Sequence, residues 1–212
     1  DLGNENWTPI GTSAYSSQFK GSFDGRGHKI TNLKGTGASY LGLFGYNAGT
    51  ITGVTLEGSV NGTSSYVGGL AGYNSGIITK CVNKVDVTTT GGNTSTSTGL
   101  AGGITAYSAS NSQIINCANY GAVTAGNGRG AGGIVGNAYG GSGAKAIIKN
   151  VYNAGSVTAD NWSGGIIGIS NYADLQNAYN RGSVSITGPS SYVGELIGNV
   201  NYAFGISVDN LF

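Results

Sequence analysis

Gly69-Leu70-Ala71-Gly72-Tyr73-Asn74-Ser75-Gly76-Ile77-Ile78-Thr79-Lys80-Cys81-Val82-Asn83 is the stretch whose reading decides the fold, because its parts return in the same order along the chain. A Gly-apolar-x-Gly tetrad begins at Gly42, Gly69, Gly103, Gly133, Gly165 and, with Glu for Gly, at Glu195, in steps of 27, 34, 30, 32 and 30 residues. A second landmark ends in Asn: Cys81-Val82-Asn83, Cys117-Ala118-Asn119, Val151-Tyr152-Asn153, Ala178-Tyr179-Asn180 and Val208-Asp209-Asn210. A third is Gly-x-Val, at Gly58, Gly121, Gly155 and Gly182. Landmarks in fixed order with variable spacing are the mark of a stacked repeat.

Each copy supplies about three short runs of β-branched and apolar residues bounded by turn formers, such as Gly76–Val82 and Ala146–Val151. No stretch holds a helical period, and Asn-Gly hairpin turns are scarce. Three short parallel strands per copy, each stacked on the next, make one coil of a β-helix. The expected fold is therefore all-β: a single-domain parallel β-helix of about six to seven coils, right-handed by the crossover preference of parallel strands. Residues at equal offsets, such as Asn119 and Asn153, should lie in successive coils ~4.8 Å apart. Ile77, Ile114, Ile147 and Leu175 should stack inside the tube.

Two residue types then have physical roles. Gly supplies positive φ at corners and close backbone approach within the tetrad. Asn83, Asn119, Asn153, Asn180 and Asn210 form an expected ladder, each amide bonding the amide of the next coil. The first full copy has Leu56 at that offset, so the ladder begins one coil later.

Residues 1–39 differ and hold the single His; they are expected to form an opening coil that caps the N-terminal end, with repeat coils over residues 40–212. Val208 to Phe212 stops inside a copy, so the polypeptide is expected to continue, with further domains. Of 212 residues, 41 are Gly without a three-residue period, which excludes collagen. Charged residues are 9% and the net charge is +1, which argues against nucleic acid as a partner. No apolar run approaches the ~18 residues of a membrane span. Few charges and little Cys, with abundant Asn, Thr, Ser and Tyr, fit an extracellular bacterial protein, cell-surface or secreted.

The tetrads Gly42-Leu43-Phe44-Gly45 and Gly69-Leu70-Ala71-Gly72, their Ile forms at Gly133 and Gly165, and the segments Trp7-Thr8-Pro9-Ile10-Gly11 and Phe19–His28 are similar to the GLUG-repeat family of bacterial cell-surface proteins. That family includes repeat regions of immunoglobulin A peptidases and adhesins. Gly103-Ile104-Thr105-Ala106 and Glu195-Leu196-Ile197-Gly198 depart from the tetrad. The resemblance implies a surface location and a β-helix, and no catalytic residues.

Glycan-cleaving β-helices need paired acids, or acids with a cationic base. The offset of Glu57 holds Lys84, Tyr120, Ala154 and Arg181, and that of Asp86 holds Ser59, Ala122, Ser156 and Ser183, so no acid faces an acid in either column. Asp24 and His28 are the best remaining pair, and read as a turn entering a strand. No catalytic residue, metal ligand or cofactor is expected. Cys81 and Cys117 share an offset; parallel Cβ vectors disfavour a bond, so two buried thiols are expected. Tyr46, Tyr73, Tyr107, Tyr139, Tyr172 and Tyr202 follow the tetrads and could line one edge as a glycan-stacking strip or as a packing ladder. Thr88–Thr98 is the longest loop. The expected function is a non-catalytic structural or adhesion module whose partner is a glycan or host surface protein. A carbohydrate-binding β-helix is the alternative, and a polysaccharide-active enzyme comes third.

Overall fold

The computed structural model describes the chain except residues 4, 38, 64–65, 92–98, 128–129, 190–191, 203–206 and 212; for Tyr202 and residues 207–211 it describes the backbone alone. Most of the Thr-rich excursion thus lies outside the described residues.

The chain winds as a parallel β-solenoid. One coil runs Tyr66–Gly68, Ala71–Asn74, Ile77–Thr79 and Val82–Thr89, then rejoins its first strand one level on at Leu100–Gly102. Stacking these levels makes a five-stranded short sheet, a six-stranded tyrosine sheet and a 13-stranded long sheet. All pairings between the described strands are parallel; the antiparallel contact among the described residues is the single bridge Gly141↔Ala144.

Register converts the sequence offsets into columns. Asn119 pairs with Asn83 and Asn153, and Asn153 with Asn180. Val60, Val87, Val123, Val157 and Val184 form another column. The apolar residue of each tetrad (Leu43, Leu70, Ile104, Ile134, Ile166) is buried in the tube.

In the isoleucine column Ile114 and Leu175 face the tube as expected, while the other two expected members are displaced by one residue. The column's members are Ile51, Ile78, Ile114, Ile148 and Leu175, all fully buried. Ile77 and Ile147 instead share the outward column of Gln113 and Asp174 and are partly exposed. Adjacent isoleucines make the two faces look equivalent in sequence, and a one-residue shift exchanges the faces of a strand.

At the N-terminal end Phe19 and Phe23 set their rings 4.8 and 5.6 Å from that of Phe44. The Trp7 indole N–H donates to the Leu43 carbonyl at 3.0 Å. Together with Leu2 and Ile30 these side chains pack against the core cluster.

The same substitution at neighbouring positions checks the register. Ile148→Gln should cost about 3 kcal/mol or more, since it loses a buried aliphatic side chain and buries an amide. Ile147→Gln, in the column that already holds Gln113, should stay within about 0.5 kcal/mol. Urea midpoints that fall equally for both would refute this assignment.

Candidate functional site: the tyrosine face and the axial ladders

Tyr46, Tyr73 and Tyr107 occupy one outward column of the tyrosine sheet. Their ring centroids are 4.3 and 4.7 Å apart with planes 15° and 14° from parallel. That spacing is about one coil rise, so each ring covers the face of the next and presents its edge outward. Tyr40 and Tyr66 close over them, stacked on each other at 5.1 Å. Tyr66 also meets Tyr107 edge-on at 5.6 Å.

Beneath the rings Leu100, Ala106 and Ile169 form a small buried cluster separate from the tube core, flanked by Tyr66, Tyr107 and Trp162. The outer faces of the short and tyrosine sheets therefore turn toward each other, and side chains fill the angle between them. Gly130 leaves the room for Ile169: a Cβ there would stand 3.2 Å from the isoleucine side chain. Burial, then the neighbouring tyrosines, raise the phenol pKa of Tyr73 and Tyr107 well above the ordinary value, and that of Tyr40 likewise rises.

The six-tyrosine edge becomes a three-ring stack with one outlier. The position of Tyr107 is taken in later coils by Asn137, Ile169 and Asn199. Tyr139 lies two residues further on, on the same face, 5.9 Å from Tyr107 and 48% exposed. Tyr172 follows its tetrad by one residue more, which changes the parity; it sits at a corner with φ 58°. The backbone of Tyr202 pairs with Asn171, and its side chain lies outside what is described.

The asparagine ladder runs through the interior. Asn83 donates to Asn119, Asn119 to Asn153, and Asn153 to Asn180, each at 2.8 Å. Each of these amides also donates to the carbonyl two residues on, at Val85, Gly121, Gly155 and Gly182. Asn180 ends the ladder on the Glu195 carboxylate at 3.0 Å. The first tetrad glycine lies against this column. A Cβ on Gly69, Gly103, Gly133 or Gly165 would fall within 2.6 Å of the Asn83, Asn119, Asn153 or Asn180 side chain respectively.

Asn210 does not continue the ladder. Asp209 pairs with Gln176 and Leu211 with Ala178, which sets the Asn210 backbone level with Asn177, three residues short of Asn180. A second, exposed ladder occupies the position of Asn177: Asn177 donates to Asn150 at 2.8 Å and Asn150 to Asn116 at 2.9 Å. All three adopt left-handed φ of 50–56°, which Asn tolerates. Its sequence signal is an Asn three residues before Asn119, Asn153 and Asn180; Lys80 stands at that place before Asn83.

Residues 63–88 match the family model described as the GLUG motif. Residues 63–88 thus carry a GLUG motif. The chain is also similar to a solved structure from Bacteroides ovatus described as a "putative immunoglobulin A1 protease", with 26% identity and a TM-score of 0.78. The match covers 99% of the chain and 64% of that protein, so the chain spans less than two thirds of its length. No curated protein sequence matches the chain.

The remaining polar candidates are engaged locally. Asp24 accepts the Arg26 N–H at 2.9 Å, and the His28 N–H donates to the Gly25 carbonyl, making a turn. Glu57 lies 3.1 Å from the Lys29 ammonium and 3.4 Å from that of Lys84, which together hold its carboxyl below the usual range. Asp86 accepts the Ala122 N–H, and Asp174 pairs with Lys149. Cys81 and Cys117 are free, buried thiols that donate to the Thr79 and Ile115 carbonyls. Among the described residues no three His, Cys, Asp or Glu side chains are grouped to hold a metal ion. A cleft of about 390 Å³ lined by Pro9, Gly11, Tyr40 and Leu41 borders the tyrosine face.

Two measurements check these roles. Asn119→Ala orphans the Asn83 donor and the Gly121 carbonyl and should cost about 3 kcal/mol by denaturant unfolding, at 1–3 kcal/mol per buried orphan. The Tyr73 and Tyr107 phenols keep their protons in the fold above pH 10, where the unfolded chain releases them. Stability should therefore fall as pH rises through about 10. In an ultraviolet titration these phenols should ionise only as the solenoid unfolds. Full tyrosine ionisation with an intact β circular-dichroism signal would refute the stacked column.

Proposed function

We propose that this chain is a non-catalytic structural or adhesion module of a bacterial cell-surface or secreted protein. The observation that carries the reading is that the side chains a catalyst would use are spent on holding the coils together. Ladder amides bond each other, tyrosine faces cover each other, and Glu57, Asp86 and Asp174 bridge neighbouring coils. The product is a stiff rod, one coil rise of ~4.8 Å per turn. The GLUG motif and the likeness to a protein described as an immunoglobulin A1 protease support an exported, surface setting. No helix among the described residues is long and apolar enough to cross a membrane.

Carbohydrate binding is the second reading, favoured by the half-exposed Tyr139 ring and the row of phenol edges beside it. Aromatic side chains of this kind are apolar on the face and hydrogen-bonding at the tip.

Incubation of the folded chain with immunoglobulin A1 and with a panel of polysaccharides should give no product by mass spectrometry. Product that disappears in Asp24→Asn or His28→Ala would overturn the non-catalytic reading. Tyr139→Ala should leave folding intact, and should lower glycan retention severalfold if the tyrosine edge is the contact.

A further inference from the structure

The outer face of the long sheet bears a second group of tyrosines. Tyr152 pairs in register with Ala118 and Tyr179. Tyr120 stands two residues after Ala118, on the same face. Tyr120 and Tyr179 are 51% and 45% exposed, with Tyr152 partly buried between them. Their centroid spacings, 5.8 and 5.7 Å, exceed the 4.3 and 4.7 Å of the stack on the tyrosine sheet. Rings further apart than one coil rise are offset sideways and leave part of their faces to solvent. Tyr120 is also turned 68° from Tyr152, so two ring planes meet at an angle.

The adjoining column gives this group a floor and a charge. Tyr120, Ala154 and Arg181 follow one another in successive coils, as the bonds from Ala154 N to Asn119 O and Arg181 N to Asn153 O show. The Ala154 methyl therefore lies between Tyr120 on one side and Arg181 on the other, with Tyr152 and Tyr179 alongside. Lys84 and Lys29 on this sheet are paired with Glu57, and Lys149 with Asp174. Among the described residues Arg181 has no ion-pair partner, and its side chain is exposed.

We propose that Tyr120, Tyr152, Tyr179 and Arg181 around Ala154 form a binding site for a carboxylate-bearing sugar of an acidic glycan. The apolar face of the pyranose lies on the phenol rings. The planar guanidinium takes both carboxylate oxygens, a pairing that an ammonium cannot match. Ser156 and Ser183, in the next outward column, add hydroxyls at the rim. A guanidinium with no ion-pair partner among the described residues, beside open aromatic faces, suits one carboxylate per sugar; the net charge of +1 does not suit a polyphosphate chain. The inference rests on the adhesion reading and names its contact.

The test is an array of sialylated and uronate-containing glycans beside their neutral analogues, followed by titration of the strongest acidic hit. Binding should be confined to carboxylate-bearing glycans and should weaken with added salt. Arg181→Gln and Tyr179→Ala should each lower affinity about tenfold or more. Tyr15→Ala, remote from the site, should leave it unchanged. Far-ultraviolet circular dichroism should show the solenoid intact in each variant. Acidic-glycan binding that survives both Arg181→Gln and Tyr179→Ala would overturn this site and leave the adhesion reading standing. Equal binding of neutral analogues would overturn the role of Arg181. No binding to any glycan would overturn the site and the carbohydrate-binding reading, and leave a host surface protein as the partner of the adhesion reading.

Discussion

The contact between the first glycine of the tetrads at Gly69, Gly103, Gly133 and Gly165 and the buried asparagine of the same coil is the constraint on which the rest of the coil depends. The asparagine amide spends one N–H on the carbonyl two residues on and the other on the asparagine of the next coil, while its oxygen accepts from the coil before. With its donors committed, the amide has little freedom to rotate. The space beside it is then closed to a Cβ, and glycine follows at Gly103, Gly133 and Gly165. Moving any one of the three would orphan a buried polar group or drive atoms into contact, and either costs more than one side chain's burial returns.

The same axial logic extends outward. The Gly-x-Val glycines lie against carbonyls of the preceding coil, with a Cβ on Gly155 or Gly182 falling 1.9 Å from one. The tyrosine column repeats at the coil rise because its rings are carried on in-register strands. Surface charge follows too: Glu57 reaches a lysine on the coil before and another on the coil after. A structure whose contacts repeat along one axis is stabilised chiefly by neighbouring levels, as in other solenoids. Its outer columns are then free to vary. The long sheet's outer face uses that freedom, moving from Thr55 and Val82 to Tyr152 and Tyr179 at one position and from Glu57 and Lys84 to Arg181 at the next.

Much of this architecture was legible in the amino-acid sequence. The recurring tetrads and Asn landmarks determined that the chain is a parallel solenoid, that Asn83 through Asn180 form a ladder, and that Cys81 and Cys117 stay as core thiols. These inferences need only equal offsets, and stacking turns equal offsets into contacts. The sequence also showed that no acid faces an acid in the columns of Glu57 and Asp86. What it left open was parity and phase. In Ile77-Ile78 and Ile147-Ile148 both residues suit a core, so only the packed register decided which faces inward. Asn210 lies in an Asn landmark, yet three-residue phasing sets it level with Asn177. Tyr172 recurs at the right period but on the wrong parity. Ring orientation was beyond reach as well: whether a tyrosine turns its face to a neighbour or to water depends on the angle between two sheets and on what fills it. For Tyr46, Tyr73 and Tyr107 the tertiary structure closed the faces, and for Tyr120 and Tyr179 it left them open, because the first group lies where two sheets turn toward each other and the second lies on a sheet that faces solvent.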